Sequence, residues 1–265
     1  MPLYQPPDVH RPVLSQFSLK GKVALVTGGS RGIGLQVVTG LAEAGADVAF
    51  VYKQSTDTAA TCERLQKLTG QKIVAYQSDV TDRKRIAETI NQVAADFGHL
   101  DVVVANAGVC QNVPSLEYDE EKWAFINSVN YDGVLWTAVA AGKIFKQQGR
   151  GNLIVTASVS ATLVNVPQTQ AAYNASKAGV LQLARGLAVE WTEFARVNCV
   201  SPGYVLTEIL TKQPAELMNT WLGQIPGRRV CDPAELKALY VFLASDACCY
   251  MTGSNLVIDG GYTIP

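Results

Sequence analysis

A short apolar run followed at once by closely spaced glycines restricts the fold of this chain more than any other feature. Val23–Thr27 has the length and composition of a buried strand, and glycines at 28, 29, 32 and 34 come directly after it. A stretch with a helical pattern then extends to Ala44. Because glycine permits the tight turn that leads from a strand into a helix, this order predicts the first strand and helix of an α/β fold.

Apolar runs of strand length recur along the chain and alternate with helical patterns. The further strand candidates are 48–52, 73–76, 102–105, 153–156, 197–200 and 256–258. The predicted helices are approximately 58–69, 83–97, 118–147, 173–194 and 234–244. Strands that are apolar on both faces and alternate with helices predict a parallel, doubly wound sheet with helices on both of its faces.

The length of 265 residues suits a single domain, which we place at 19–265. Residues 1–18 are proline-rich and polar, and they predict an extended arm that behaves as a loose terminus. The segment 204–229 has no clear period, and its length and mixed composition are typical of a lid.

Charge and composition argue against several classes of function. A net charge of −1 gives no electrostatic footprint for nucleic acid. No apolar run resembles a signal peptide or a membrane span, so we expect a cytoplasmic protein that does not bind membranes. The six cysteines are scattered and are interpreted as reduced thiols. His10 and His99 lie in no ligand cluster, and no metal site is expected.

The glycine turn is a candidate site for a dinucleotide. Gly28, Gly32 and Gly34 would allow a pyrophosphate to approach the N-terminus of the following helix. The alternative is a purely structural turn that requires positive φ angles.

The end of the second strand indicates which dinucleotide is bound. An acidic residue there would accept hydrogen bonds from the ribose of NAD, whereas a 2′-phosphate favours cations and hydroxyls. This chain has Tyr52 and Lys53 at that point, and the glycine turn adds Ser30 and Arg31. NADP(H) is therefore the predicted cofactor. The alternative is that both cations are solvated surface charges.

Two further strand ends carry cofactor candidates. After the third strand, Asp79 could accept from an adenine amino group while the amide of Val80 donates to the ring, or Asp79 could cap the next helix. After the fourth strand, the small residues of Asn106-Ala107-Gly108 would let the backbone approach the cofactor. Alone, this tripeptide is also typical of an ordinary turn.

Tyr173 and Lys177 are one helical turn apart and share a helix face. A free tyrosine titrates near pH ~10 and is a poor acid–base catalyst at neutral pH. The lysine and the positive ring of a cofactor together would lower the pKa of this phenol. Taken alone, the same spacing is also found on solvated helix faces.

In their order along the chain, these motifs resemble those of the short-chain dehydrogenases/reductases, from Leu19 onwards. The matching residues are the glycine turn, Asp79-Val80, Asn106-Ala107-Gly108, Asn130, Ser158, Tyr173 with Lys177, Pro202-Gly203 and Ile258-Asp259-Gly260-Gly261. The resemblance implies a Rossmann fold with a seven-stranded sheet, a nicotinamide cofactor and usually a tetramer. Ala105 departs from the pattern, since many members have a second asparagine there; the departure is expected to be tolerated because Asn106 is retained.

The resemblance also implies roles for individual residues. Tyr173 is the expected general acid, and Lys177 is expected to lower its pKa and to contact the nicotinamide ribose. Ser158 would hydrogen-bond the substrate carbonyl. Asn130 would hold a water that links the lysine to solvent. The remaining cofactor-binding candidates are Ile33, Pro202, Gly203, Val205 and Thr207.

The choice of serine depends on how the residues are counted. Counting from the fifth strand selects Ser158, whereas counting back from Tyr173 by the commonest spacing selects Ser160. We predict Ser158, because the sheet fixes the strand end while the loop before Tyr173 can accommodate two extra residues.

Side-chain amides near the site suit a hydroxylated substrate, because each offers both donors and an acceptor. They are Gln111, Asn112, Asn165, Gln168 and Gln170. Ordinary loop polarity is the alternative interpretation. Further stretches of the sequence resemble those of fungal-type NADP-dependent mannitol 2-dehydrogenases, sorbose reductases and carbonyl reductases. They include Phe17-Ser-Leu-Lys-Gly-Lys-Val and Met251-Thr-Gly. That resemblance implies NADPH-dependent reduction of a ketose to a polyol.

Three other functions remain open. The nearest is reduction of small prochiral ketones. A 3-oxoacyl-thioester reductase is disfavoured by acidic residues where an acidic carrier would dock, namely Glu117, Asp119, Glu120 and Glu121. A non-catalytic NADP-binding sensor or structural subunit would need neither the serine nor the tyrosine.

A homotetramer is expected from the resemblance, and the composition of two predicted helices agrees with it. They carry small residues on more than one face, which suggests burial against another subunit. These residues are Ala138, Ala141, Ala178, Gly179 and Gly186.

Overall fold

The computed structural model describes Leu3, residues 5–211 and residues 213–264. Its strands are β1 (Val23–Thr27), β2 (Asp47–Tyr52), β3 (Ile73–Gln77), β4 (Val102–Ala105), β5 (Asn152–Thr156), β6 (Arg196–Pro202) and β7 (Asn255–Ile258). They form one seven-stranded sheet in the order β3-β2-β1-β4-β5-β6-β7, and all neighbours are parallel. The prediction of a doubly wound parallel sheet is confirmed. Because the strand order reverses between β1 and β4, a crevice forms at the carboxyl ends of these two strands.

Helices cover both faces of the sheet. They are α1 (Gly32–Glu43), α2 (Thr58–Thr69), α3 (Arg83–Phe97), α4 (Glu120–Asn127), α5 (Gly133–Gln148), α6 (Ala171–Glu190), α7 (Glu208–Thr211), α8 (Ala215–Gln224) and α9 (Lys237–Ala244). Apolar residues of α3, α5 and α6 form one core with the strands, and those of α1, α2 and α9 form the other. The strands β1, β5 and β6 are buried along their whole length, which explains why they read as continuous apolar runs.

The prediction of a single helix over 118–147 is wrong, because a π-helical turn divides this segment into two α-helices. Helix α4 ends at Asn127, a π-helical turn spans Ser128–Asp132, and α5 begins at Gly133. The π turn brings Asn130 inward, where it is fully buried and bonds the backbone of Val109. Apolar periodicity continues through such a turn, so the pattern gave no sign of the interruption.

The N-terminal arm contacts the body of the protein at several described residues. It contains one 3-10 turn, Val13–Phe17. Arg11 pairs with Asp246 at 2.7 Å, and the rings of Phe17 and Phe242 lie 6.0 Å apart. Met1, Pro2 and Tyr4, which belong to the predicted arm, lie outside the described residues.

The lid-like segment 204–229 contains the two helices α7 and α8, which its sequence did not indicate. Lys212 within this segment lies outside the described residues. Across the described ranges, no helix has both the length and the apolar character that crossing a bilayer requires. The same residues contain no group of three or more His, Cys, Asp or Glu side chains arranged to hold a metal ion.

Candidate functional site

A cleft of about 600 Å³ follows the carboxyl ends of the strands. All of the predicted cofactor-binding residues line it, from the glycine turn through Lys53, Asp79 and Gly108 to Thr207. Ser158, Tyr173 and Lys177 line it as well, whereas Asn130 does not. The cleft is large enough for a small-molecule ligand together with part of its cofactor.

The glycine turn has the geometry that its sequence predicts. Gly28 and Gly32 have φ angles of 65° and 54°, which favour glycine. A Cβ atom at Gly34 would collide with the carbonyl oxygen of Gly28. No side chain caps the N-terminus of α1, so its first amide groups are free of side-chain acceptors at the edge of the cleft. Such an N-terminus fits an anionic group like the pyrophosphate of a dinucleotide.

Two cations lie at the end of the cleft formed by β2 and the glycine turn. Lys53 Nζ is 2.6 Å from Asp79 Oδ2, and Arg31 Nη1 is 3.1 Å from Glu208 Oε2. Both cations are well exposed, and exposed ion pairs of this kind stabilise a protein by only about 0–1 kcal/mol. Either cation could therefore exchange its carboxylate for a phosphate at little cost.

The two interpretations of Asp79 are separated in part by the structure. The cap of α3 is Asp82, whose side chain accepts from the amides of Lys84 and Arg85, so the capping alternative for Asp79 is wrong. Partial burial acts to raise the pKa of Asp79, but hydrogen bonds from Lys53 and Thr81 outweigh it and the pKa is lowered. The carboxylate is thus ionised at neutral pH. Its predicted contact with adenine stays a prediction.

Thr27 and Asn106 join the carboxyl ends of β1 and β4. The Thr27 hydroxyl accepts from the amides of Asn106 and Ala107 at 3.0 and 3.1 Å. The Asn106 amide nitrogen donates to the Thr27 carbonyl at 3.0 Å, and its oxygen accepts from Thr156 at 3.3 Å. Asn106 thereby ties three neighbouring strands together. This explains how the chain can have Ala105 in place of a second asparagine.

The tyrosine, lysine and serine predicted from sequence come together above β5. Ser158 lies close enough to the Tyr173 hydroxyl to act on its pKa. The Lys177 ammonium donates to the Thr156 carbonyl at 2.9 Å and lies 5.8 Å from the centroid of the Tyr173 ring. Ser160 instead donates to Asn165 at 2.5 Å. Ser158 is thus the serine that acts on the Tyr173 phenol, and its role towards a substrate stays a prediction.

Burial dominates the ionisation of both helix residues. It raises the pKa of the Tyr173 phenol well above its usual range, with Cys110 acting in the same direction and Ser158 against it. Burial also lowers the pKa of Lys177, to about 8. The sequence analysis expects Lys177 and the positive ring of a cofactor together to lower the pKa of Tyr173. In the structure, Lys177 alone does not lower that pKa.

Both polar atoms of the Asn130 side-chain amide are hydrogen-bonded. Its oxygen accepts from the Val109 amide at 2.8 Å, and its nitrogen donates to the Val109 carbonyl at 2.9 Å and to Ser176 Oγ at 3.2 Å. A Cβ atom at Gly108 would lie 3.5 Å from Asn130 Oδ1 and 3.6 Å from Lys177 Nζ, so only Gly108 separates the two groups. One oxygen lone pair of Asn130 remains for the predicted water. That relay stays a prediction.

Several residues of the cleft were missed or left without a role by the sequence analysis. Cys110 follows the Asn106-Ala107-Gly108 turn, and burial raises the pKa of its thiol to about 11, so it stays protonated. Tyr204 stacks on Trp221 with ring centroids 4.6 Å apart, and both line the cleft. Neither ring belongs to a motif, and only the position of Tyr204 at the start of the lid-like segment could have indicated it.

Comparisons with known proteins agree over nearly the whole chain. A family model described as enoyl-(acyl carrier protein) reductase matches residues 28–263. The chain is 45% identical over 261 residues to a probable NADP-dependent mannitol dehydrogenase of Yarrowia lipolytica, covering 98% of this chain and 94% of that protein. It is 46% identical over 264 residues to a sorbose reductase of Candida albicans, covering 98% and 93%. The structure is similar to that of an NADPH-dependent 3-quinuclidinone reductase from Rhodotorula rubra, with a TM-score of 0.95, 40% identity and 98% of each chain covered.

Proposed function

The chain belongs to the short-chain dehydrogenase/reductase family, and from that premise we propose that it uses NADPH to reduce the ketone of a ketose to the alcohol of a polyol. The observation that carries the proposal is the meeting of Tyr173, Ser158 and Lys177 in one cleft with the cations Arg31 and Lys53. Three strand spacings, roughly 14 Å, separate β2 from β5. That separation suits a dinucleotide lying across the carboxyl ends of the strands.

The proposed chemistry follows from the protonation states of these groups. When bound, NADPH supplies the hydride that the carbonyl carbon receives. Tyr173 gives its phenolic proton to the carbonyl oxygen, and its raised pKa keeps that proton in place at neutral pH. Ser158 donates a hydrogen bond to the oxygen as negative charge develops there. The Lys177 ammonium favours the phenolate that remains.

The preference for NADP(H) rests on the exposed cations and on the relatives. We assign the contacts to a 2′-phosphate to Arg31 and Lys53, two exposed cations of the cleft, and no acidic residue ends β2. The Yarrowia lipolytica relative is named as NADP-dependent. We infer that this chain binds NADPH more tightly than NADH, because only NADPH carries the phosphate that both cations can contact.

A ketose is the favoured substrate because the relatives are named for mannitol and sorbose, and because amides line the cleft. Gln168 donates to the Tyr204 hydroxyl at 2.8 Å, and Asn165 lies beside it at 3.4 Å. Such groups can exchange their mutual hydrogen bonds for those of sugar hydroxyls.

The test is NADPH oxidation by the purified protein with fructose, sorbose and xylulose, together with identification of the polyol that forms. Stoichiometric polyol formation is expected, with NADH a much poorer donor. Failure of every ketose and every ketone to oxidise NADPH would contradict the enzyme assignment. Tyr173→Phe is the matched control for background oxidation.

Reduction of small prochiral ketones is the second candidate. It is favoured by the close structural similarity to the 3-quinuclidinone reductase. The ratio of kcat/KM for a ketose to kcat/KM for 3-quinuclidinone separates the two candidates. A ratio well below one would make the small ketone the better substrate.

We also propose a cytoplasmic homotetramer. Ala138 and Ala141 lie in the core of the chain itself, so they give no support to a subunit interface. Support comes instead from α6, where Ala178 and Gly186 are exposed and Val189 is 76% exposed. Apolar exposure along one helix is typical of a surface that another subunit covers. Light scattering of the purified protein would give the mass of the assembly directly.

A further inference from the structure

Beside Ser158 in the wall of the cleft lies a set of largely buried, hydrogen-bonded side chains, whose amides were considered above only as possible contacts to substrate. Ser160, Asn165 and Gln170 are exposed by only 5%, 4% and 6%. All three belong to the connection between β5 and α6, whose two extra residues made the choice of serine ambiguous. Buried polar groups need partners, and a fully partnered network fixes the positions of its members.

Ser160 holds the hydroxyl oxygen of Ser158 in two ways. The backbone amide of Ser160 donates to Ser158 Oγ at 3.1 Å. The hydroxyl of Ser158 in turn donates to Ser160 Oγ at 3.1 Å. The first bond fixes the oxygen of Ser158, and the second fixes the direction of its proton.

The direction of the second bond follows from counting the donors. Ser160 has one hydroxyl proton, and it goes to Asn165 Oδ1 at 2.5 Å. Gln170 also donates to Asn165 Oδ1, at 2.9 Å, and its other N–H reaches Asn174 Oδ1 at 3.0 Å. With its proton committed to Asn165, Ser160 Oγ acts only as an acceptor, for the Ser158 hydroxyl at 3.1 Å and for Gln170 Nε2 at 3.4 Å.

We propose that Ser160, Asn165 and Gln170 are positioning residues that hold the Ser158 hydroxyl for the reduction. This rests on the role of Ser158 in the proposed function. The oxygen of Ser158 stays on the Ser160 amide, and rotation about the Cβ–Oγ bond moves its proton from Ser160 to the substrate carbonyl. The oxyanion donor is thus placed before substrate binds, and no heavy atom has to move.

Ordinary loop polarity would leave some of these atoms without partners. Among the described residues, Gln168 Oε1 in the same loop is buried without a partner. By contrast, no buried side-chain nitrogen or oxygen of Ser158, Ser160, Asn165 or Gln170 lacks a hydrogen-bond partner. The network around Ser158 is therefore fully partnered, which is what fixing the position of this hydroxyl requires.

The test compares Ser160→Ala with Ser160→Thr, which keeps the hydroxyl. Thr162→Ala is the matched control, because the Thr162 hydroxyl bonds the Val159 carbonyl in the same turn but touches none of the network. For each variant, kcat and KM with the ketose are measured, together with the NADPH dissociation constant and the melting temperature. Ser158→Ala and Tyr173→Phe are the references for the proposed function itself.

Ser160→Ala keeps the backbone amide but loses the hydroxyl link to Asn165 that fixes the turn carrying this amide. The amide and the Ser158 oxygen bound to it should then shift, and kcat should fall by roughly 10–100-fold, because a misplaced catalytic group costs about that much. The NADPH dissociation constant of this variant should stay within twofold of the unmodified protein. Ser160→Thr should recover most of kcat, and Thr162→Ala should match the unmodified protein.

Three results would overturn the proposal. They are full kcat in Ser160→Ala, a loss of kcat that Ser160→Thr does not restore, and a parallel loss of NADPH binding, which would indicate a general structural role. If Ser158→Ala keeps full turnover while Tyr173→Phe does not, Ser158 has no part in the reduction. The positioning role of Ser160, Asn165 and Gln170 is then wrong as well. Activity in Tyr173→Phe would instead contradict the proposed function as a whole.

Discussion

Two buried cations lie at opposite edges of the sheet. One lies where the strands begin, which we call the amino edge, and the other where they end, the carboxyl edge, and their hydrogen-bond partners differ in number. Arg196 opens β6 at the amino edge and is 5% exposed, while Lys177 lies at the carboxyl edge and is 4% exposed. Arg196 donates to the carbonyls of Leu243, Ser245 and Met251 at 3.0 to 3.2 Å and to Cys248 Sγ at 3.4 Å. Lys177 has one such partner, the carbonyl of Thr156.

The difference shows what each edge of the sheet does. At the amino edge the donors of the guanidinium are used to hold α9 and the segment after it, so the charge stabilises the fold. At the carboxyl edge the ammonium keeps donors free for a ligand, and burial lowers its pKa to about 8. A poorly compensated buried charge destabilises a protein, and such charges cluster at functional sites. The bonds of Arg196 thus serve stability, whereas Lys177 lies at the edge to which we assign the proposed chemistry.

Tyr173→Phe should show the largest effect, because it removes the proton donor at the carboxyl edge. We expect kcat to fall by about 10²–10⁴-fold, the usual contribution of a general acid. The melting temperature and the NADPH dissociation constant should hardly change. Ketose-dependent NADPH oxidation and a fluorescence titration with NADPH measure the two quantities.

Tyr240→Phe is the matched control for that variant. Tyr240 is fully buried in α9, and its hydroxyl lies 2.7 Å from Thr156 Oγ1. Its loss should cost about 1 kcal/mol of stability and leave kcat within a few fold. Equal losses of kcat in the two variants would contradict the separation of stability from chemistry.

Arg196→Met should have the largest effect on stability. It removes the charged donor from three carbonyls, although those of Leu243 and Met251 keep the side-chain amides of Asn152 and Asn198 as donors. Because hydrogen bonds to charged groups contribute about 1.5–3 kcal/mol each, we expect the free energy of unfolding to fall by about 2–4 kcal/mol. For a chain of this size that is a drop of roughly 5–15 °C in melting temperature. Arg64→Met, at an exposed position of α2, should change stability by at most about 0.5 kcal/mol. Similar melting temperatures for the two variants would show that the amino-edge bonds are not stabilising.

Arg31→Ala combined with Lys53→Ala tests the two exposed cations of the carboxyl edge, whose ion pairs with Glu208 and Asp79 a phosphate would replace. The double variant should bind NADPH roughly 10–100-fold more weakly, because hydrogen bonds to charged groups contribute about 1.5–3 kcal/mol. Binding of NADH, which has no 2′-phosphate, should change little. Isothermal titration with both cofactors checks this. An equal loss for NADH would remove the basis for the NADP(H) assignment.

The sequence predicts the carboxyl edge better than the amino edge. The glycine turn, Asn106 and the pair of Tyr173 and Lys177 are local motifs whose spacing already fixes their geometry. The partners of Arg196 are backbone carbonyls at 243–251, about 50 residues away, and no side-chain pattern marks a carbonyl as an acceptor.

Other features could not be predicted because they depend on tertiary contacts. The π turn places Asn130 against the backbone of Val109, 21 residues earlier in the chain. The cap of α3 is Asp82, which the sequence analysis did not consider. The direction of the hydrogen bonds around Ser160 required the coordinates of three loop side chains.

The pH dependence of stability in Lys177→Met tests the central claim most directly. The folded-state pKa of Lys177 is about 8, below its usual value of 10.5, so the unfolded chain holds more protons between these values. The cost of burying the charge is therefore fully present below about pH 8 and disappears as the pH rises towards 10.5. Methionine avoids that cost, so the variant should melt higher than the unmodified protein at pH 7, by roughly 2–4 °C for each kcal/mol of stability gained.

The measurement is the difference in melting temperature between Lys177→Met and the unmodified protein at pH 7 and at pH 10. Lys67→Met, at an exposed position of α2, is the control and should show no difference at either pH. We predict a positive difference at pH 7 that shrinks markedly at pH 10. A variant that melts below the unmodified protein at pH 7, or a difference that is the same at both pH values, would contradict the claim that the carboxyl edge retains a destabilising charge for its chemistry.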